Sequence, residues 1–383
     1  MQIADCKLQI AQLIQERGPL TVAAFMDLVL YDPALGYYAR AAQRSGRAGD
    51  FFTSVDVGAL FGELLEVQLA EMCGLTAETA KHAEQNIGWD LVEAGAGNGR
   101  LSADILRAAK AHHPEFYNAI HLHLVEASAE ARRAQADTLA EVAERLTSSG
   151  SALPESFDGV LIANELLDAL PVHQVVMRED GLREVFVTAT ADSRLTTVER
   201  DPSTPALADY LHRLGVTLEP GWRVEVNLRA VDWIRDAARR VRRGFIILID
   251  YGHEAGELYS ATHSTGTLTT FVRHRSGGPE ASPDTPPWLQ QPGDRDLTAH
   301  VDFTSIRAAA EAEGMTTIGF LDQTYFLLGL LEGLPNPHSA LRNPQFKTLM
   351  LPGGIGSTHK VLILGKGVGA PALRGLSFRV RVT

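Results

Sequence analysis

Apolar residues recur along this chain with two periods, one near 3.6 and one of 2, and their alternation predicts an α/β protein. A helical stripe over residues 3–17 stops at Gly18-Pro19, and a second helix is expected from about Thr21 to Tyr31-Asp32-Pro33. Gly58 to Met72, with Leu60, Phe61, Leu64, Leu65 and Leu69 on one side, predicts a third. Trp89 to Val92 suits a buried parallel strand, and Leu101, Ile105, Leu106 and Ala109 mark a helix over Leu101 to His112. His121 to Val125 alternates as a strand and leads into an amphipathic helix ending near Arg145. Phe157 to Ala163 is the next expected buried strand, and Phe245 to Ile249 is an unbroken apolar run, the pattern of a strand covered on both faces. Val172 to Met177, Glu184 to Thr188 and Leu195 to Val198 predict a β-meander around Glu179-Asp180-Gly181. Helices are expected at Val226 to Arg243, Phe303 to Glu313 and 323–332, and strands near 316–321 and at Lys360 to Leu364. Residues 40–50 read as a loop, Thr147 to Ser151 is a Ser-rich stretch, and 253–300 is turn-rich, with Ser276 to Pro287 the least regular part.

The first long strand breaks into Glu93-Ala-Gly95-Ala-Gly97-Asn-Gly99-Arg100. Three alternating glycines let the backbone turn tightly and approach a ligand where a side chain would obstruct it. Strand, glycine turn and helix form the first half of a Rossmann-like unit. The dinucleotide fingerprint is G-x-G-x-x-G, whereas the order here is G-x-G-x-G. That order after an acid resembles motif I of class I S-adenosylmethionine (SAM) methyltransferases, which implies a turn facing a zwitterionic methionine end. Glu126 at the tip of the next strand is placed to accept hydrogen bonds from a ribose diol, a feature that serves SAM and NAD alike. Its plainer role is to cap the helix that follows.

Composition narrows the partners. The formal charge of −12 over 383 residues disfavours nucleic acid and is compatible with a basic protein or peptide. Cys6 and Cys73, the two cysteines, have no metal or redox spacing, so a reducing compartment is expected. No apolar run is long enough to span a membrane, and the first residues lack a signal or transit pattern, so the expected location is cytoplasmic. Oligomeric state stays open.

Ligands of open α/β sheets bind beyond the carboxyl ends of the strands. Four such ends carry polar groups: Glu93 with its glycines, Glu126, Asn164-Glu165, and Asp250-Tyr251-Gly252. Asn164, Glu165 and Asp168, in Asn164-Glu165-Leu-Leu-Asp168-Ala-Leu-Pro171, are the candidate catalytic residues. Two carboxylates suit a guanidinium or ammonium acceptor, with Asn164 orienting it; the alternative is that these acids cap a helix.

Larger motifs carry a family resemblance. Gly49-Asp50-Phe51-Phe52-Thr53-Ser54 with Phe61-Gly62-Glu63-Leu64, Tyr31-Asp32-Pro33-Ala-Leu-Gly36-Tyr37-Tyr38, the glycine motif, Asn164 to Pro171, Ile249-Asp250-Tyr251-Gly252-His253 and Asp296 to Phe303 occur in one order along the chain. Together they resemble the MidA-like methyltransferase family, which includes a mitochondrial arginine methyltransferase assisting respiratory complex I assembly. The resemblance implies a Rossmann-like class I SAM methyltransferase core with an N-terminal helical region and β-meander and loop insertions. The expected division is a helical region and cofactor lid over 1–85, the methyltransferase domain over 86–370 with insertions at about 172–225 and 253–300, and a tail over 371–383. It implies SAM as cofactor, held by Asp50, Thr53, Ser54, Glu93, Gly95, Gly97, Gly99, Glu126 and Asn164. It also implies an arginine of a protein partner as acceptor, an NADH dehydrogenase subunit in the best-known branch. Two rival readings are a non-catalytic assembly scaffold and an NAD-linked oxidoreductase.

Val55-Asp56 stands where the family has Pro-Glu, keeping an acid without the rigid bend, and residues 147–156 carry no recognisable third-strand acid to read an adenine. His253, His263, His274 and His300 are irregularly spaced, so hydrogen-bonding or surface roles are expected and no metal site. Arg239 to Arg243 ends a helix and complements its dipole. Gly353 to Thr358 lacks the ending of a phosphate loop.

Overall fold

The computed structural model describes residues 3–40, 53–75, 88–272, 275–277, 286–350 and 358–378. Contacts divide the chain into two interleaved units. One comprises Met1–Phe51, Leu167–Trp233 and Gly252–Ile306; the other comprises Phe52–Leu166, Ile234–Tyr251 and Arg307–Thr383. The segments expected as insertions thus cluster with the N-terminal helices. No single boundary near residue 85 expresses that division.

The second unit holds the nucleotide-type sheet. Its strands are β1 (Trp89–Ala94), β2 (Ile120–Val125), β3 (Leu146–Gly150), β4 (Phe157–Asn164), β5 (Val241–His253), β6 (Thr316–Asp322) and β7 (His359–Lys366). They lie in the order β6-β7-β5-β4-β1-β2-β3. β1 to β5 pair in parallel, and β7 runs antiparallel to both β5 and β6. This is the doubly wound order 3-2-1-4-5 followed by an antiparallel pair. Leu91, Val160, Phe245, Ile247 and Ile363 are buried with Leu64, Leu65, Leu101 and Ile105 of the flanking helices Leu60–Leu75 and Arg100–His112. Two glycines allow the middle strands to close up. A Cβ on Gly244 (φ +137°) would stand 1.8 Å from the Gly159 carbonyl oxygen, and one on Gly159 (φ +151°) would stand 2.0 Å from that of Asp90.

The helix expected to run to Arg145 ends at Leu139; Ala140 takes φ +46° and a 3₁₀ turn carries the chain to Arg145. The Ser-rich stretch, where the sequence predicts no strand, forms the edge strand β3, largely exposed and without apolar alternation. The residues read as a tail are docked as far as Leu376: Gly375 is buried, and its N–H donates to Gln68 Oε1 at 3.0 Å.

In the first unit, helices Ile3–Arg17 and Val22–Tyr31 pack on an antiparallel sheet ordered Leu20–Thr21, Gly181–Ala189, His173–Arg178, Arg223–Val226, with Leu195–Arg200 paired to Gly181–Ala189. The first three strands of the expected meander are present, and Arg223–Val226 joins them where a helix was expected to begin. Phe25, Met26, Val29 and Leu30 fill the core against Val176, Val185 and Val187. Thr21 starts the second helix by accepting a hydrogen bond from the Ala24 N–H at 3.0 Å. A three-stranded sheet, Arg275–Gly277, Thr269–Val272 and Asp296–Thr298, lies in the stretch expected to be all turns.

Candidate active site

The sheet order reverses between β1 and β4, and a doubly wound sheet opens its ligand crevice at the carboxyl ends there. The glycine turn follows β1 and Asn164-Glu165 follows β4, so two of the sequence candidates meet this point from adjacent strands. Gly95, Gly97 and Gly99 all take left-handed φ, of +73°, +51° and +83°. A Cβ on Gly97 would enter open space, whereas Leu166 lies against Gly95 and Leu124 against Gly99. The turn therefore presents bare backbone at Gly97 and packs on both sides of it.

Glu126 sits at the tip of β2. Its Oε2 accepts from the Gly97 N–H at 2.9 Å and its Oε1 from the Ser128 N–H at 2.7 Å. The carbonyl of Gly97 accepts from Gln135 Nε2 at 2.8 Å, and Ser149 donates to Gln135 Oε1 at 2.6 Å. Gln135, on the helix Ala129–Leu139, thus braces the turn, a role no local motif announces.

Glu93 is turned onto the first turn of the following helix. Its carboxylate accepts from the Ser102 N–H at 3.2 Å and from the Ser102 hydroxyl. Burial pushes its carboxyl up to about 7, against those two hydrogen bonds, and the charges of Glu126 and Asp104 add to the rise.

Glu165 stands at the centre of a second group. Its φ of +51° is a left-handed conformation that a non-glycine residue adopts at a cost of order 1–3 kcal/mol. Its N–H donates to the Ile249 carbonyl at 2.8 Å, and the next N–H, of Leu166, donates to Asp250 Oδ2 at 3.1 Å. Three groups surround Glu165 Oε1: the Ser54 N–H at 3.1 Å, Asn164 Nδ2 at 3.3 Å, and His359 Nε2 at 3.4 Å. No hydrogen bond reaches Oε2 among the described residues. His359 is fully buried at the start of β7, its ring 3.8 Å from that of Tyr251.

Ser54 opens the short helix Ser54–Val57, which Thr53 and Asp56 cap reciprocally. Thr53 N–H and Oγ1 both lie 3.1 Å from Asp56 Oδ2, while Arg100 reaches Asp56 Oδ1 at 3.5 Å. The Ser54 hydroxyl donates to Gln323 Oε1 at 3.3 Å. Asn164 Oδ1 and Gln323 Nε2 are both buried with no hydrogen-bond partner among the described residues, one an acceptor and the other a donor. Gln323 and His359 were missed by sequence reasoning, since each begins an ordinary helix or strand and carries no local signal. Asp168 falls in the first unit, where it is buried and its backbone carbonyl accepts from the Ala299 N–H at 2.9 Å. Asp50, with the lid expected around it, lies outside the described residues.

A glycine turn with open space at Gly97, a carboxylate on the neighbouring strand tip and orphaned buried amide atoms fit a nucleoside ligand bearing an amino-acid end. This fold and site define a class I SAM-dependent methyltransferase. The model of an S-adenosyl-L-methionine-dependent methyltransferase family matches residues 69–321, and the chain belongs to that family. It is 33% identical over 341 residues to the mitochondrial protein arginine methyltransferase NDUFAF7 of Mus musculus, covering 82% of this chain and 71% of that protein. The mitochondrial NDUFAF7 homologue of Drosophila melanogaster is 29% identical over 400 residues, covering 94% and 84%. A crystal structure from Burkholderia thailandensis bound to S-adenosyl-homocysteine superposes with a TM-score of 0.84 at 27% identity, covering 98% of this chain and 95% of that one.

The cofactor is SAM, and the NAD-linked and scaffold readings fall away. The cytoplasmic expectation is overturned, because the relatives from mouse, fly and human are named as mitochondrial. Its physical basis was too coarse. Two cysteines without metal or redox spacing suit a reducing compartment, which cytoplasm and mitochondrial matrix both are. Among the described residues no helix is long and apolar enough to cross a membrane.

Proposed function

We propose that this methyltransferase modifies an arginine of a protein partner, with a subunit of the NADH dehydrogenase complex as the partner class to try first. The relatives named protein arginine methyltransferases support the acceptor. The observation that carries the reading is the state of Glu165: Oε1 is surrounded by three groups while Oε2 has no hydrogen bond among the described residues. A carboxylate so fixed can take a guanidinium N–H through Oε2 by a charge-assisted bond.

When bound, SAM supplies a methyl group on a positively charged sulfur. The guanidinium titrates above about 12, so its nitrogen must lose a proton as the new bond forms. Glu165 receives that proton at Oε2 and orients the nitrogen lone pair. His359 and the Ser54 N–H hold the carboxylate in place. Asn164 Oδ1 and Gln323 Nε2, an acceptor and a donor without protein partners, suit the ammonium and carboxylate of the methionine end. Gly97 and Glu126 take the turn and the ribose.

The test is transfer of a labelled methyl group from SAM to purified NADH dehydrogenase subunits, read by intact mass and peptide mapping. Methylation at an arginine that disappears on Arg→Lys substitution in the acceptor supports the reading. Methylation only at lysine, glutamine or a small molecule overturns it.

A further inference from the structure

Three histidines expected to act separately converge in the first unit. The end of β5 pairs in parallel with Val301–Asp302, with Gly252 opposite Val301 and His253 opposite Asp302, which draws His253 beside His300. The 3₁₀ turn Ala261–His263 adds the third ring. Ring centroids lie 4.8 Å apart for His253 and His263, 5.2 Å for His253 and His300, and 5.9 Å for His263 and His300. One nitrogen of each falls within 4.8 Å of the other two.

One ring is already held in the way that prepares an imidazole for a metal. His263 Nδ1 lies 3.1 Å from the Glu257 backbone carbonyl. A carbonyl only accepts, so Nδ1 carries the proton and Nε2 keeps its lone pair. His253 Nδ1 lies 3.0 Å from Glu257 Oε1, which sets a carboxylate beside that ring as well. One short helix, Ala255–Leu258, thereby orients two rings through a single glutamate. Metal-ligating histidines ordinarily donate their other N–H to a carboxylate or carbonyl in this manner. Nδ1 of His300 is buried with no hydrogen-bond partner among the described residues.

We propose that His253, His263 and His300 form a three-histidine site for a divalent zinc-class cation, oriented by Glu257, with a fourth position for solvent. Zinc takes imidazole nitrogens at about 2.0–2.1 Å in tetrahedral geometry. The three nitrogens therefore close in modestly when the ion binds, by rotation of the rings. The ion ties together the end of β5, the 3₁₀ turn and the segment leading into the helix Phe303–Ala312. The inference stands on these residues alone and does not depend on the methyl acceptor.

The experiment titrates the full-length, chelator-stripped protein with Co(II) and follows the visible d–d bands, then displaces the Co(II) with Zn(II). Bands that saturate at one equivalent, vanish in His263→Ala and require 10–100-fold more metal in Glu257→Gln support the site. Absence of saturable bands in the wild-type protein, or bands unchanged in both His263→Ala and His300→Ala, overturns it. Circular dichroism on each variant separates lost metal from lost fold. Should His263→Ala unfold, the partly exposed position is read instead with His263→Asn and Glu257→Gln, both expected to weaken binding.

Discussion

Nε2 of His359 stands 3.4 Å from Oε1 of Glu165, linking the start of the antiparallel strand β7 to the turn after β4. The contact flanks one oxygen of the carboxylate, and the other is the one proposed to receive the proton. Glu165→Gln is expected to retain SAM binding and to lower methyl transfer by about 10²–10⁴-fold, the usual worth of a positioned base. His359→Ala, which disturbs placement alone, is expected to lower kcat less and to leave the affinity for SAM unchanged. Single-turnover rates at saturating SAM, beside calorimetric titration, separate the two. Equal turnover in Glu165→Gln and wild type would remove Glu165 from the mechanism.

The open space beside Gly97 gives a second prediction. Gly97→Val places a branched side chain at φ +51°, into the volume proposed for the cofactor. Left-handed backbone costs about 1–2 kcal/mol for a residue with a Cβ, so the variant is expected to fold with a modestly lower Tm. Its SAM and S-adenosylhomocysteine binding is expected to vanish in calorimetry. Wild-type affinity in this variant would place the cofactor elsewhere.

Glu93 predicts a pH dependence. Its carboxyl is raised from an ordinary 4.5 to about 7 in the folded chain, with burial the chief cause. The folded state therefore holds a proton that the unfolded state has released between those values, and stability falls as pH rises through that window. At 1.36 kcal/mol per unit the loss amounts to about 3 kcal/mol, complete above pH 7. Glu93→Gln is expected to remove that slope. Urea unfolding at pH 5 and pH 8 checks it: parallel pH dependence in variant and wild type would show that Glu93 is ionised throughout.

The backbone approach at Gly159 and Gly244 leaves no room for substitution. Because the obstructing atoms are backbone oxygens of neighbouring central strands, Gly159→Ala and Gly244→Ala are each expected to cost more than about 3 kcal/mol, toward the upper end of single-residue effects. Soluble yield and denaturant midpoint report this directly. A midpoint within error of wild type would mean that the strands can separate there.

What the sequence made legible was local. Glu93 to Gly99 and Glu126 are read from a strand, a turn and the next strand, each defined within a few residues. The apolar runs at Phe157 and Phe245 likewise declare the buried middle of the sheet. What stayed hidden depends on pairing between distant segments. β3 is polar because it lies at an edge, so its alternation is absent. Gln323 and His359 join the site only through the packing of β6, β7 and the helix Gln323–Leu331 in the second unit. The histidine cluster follows from the register of Gly252 on Val301, which no spacing rule encodes.

The two units alternate along the chain, and this bears on how a ribosome can deliver the protein. Each is stitched from three segments, the first closing only with residues 252–306 and the second only with 307–383. Thr21, near the start, waits for Phe186 to pair, and β5 in the sheet interior waits for β7. Such long-range pairings slow folding. Before β7 emerges the half-made sheet pairs β5 with β4 and leaves open the edge that β7 covers, an aggregation-prone state. Because that last strand also brings His359 to Glu165, the nascent enzyme acquires its fixed carboxylate in the same step that seals its core.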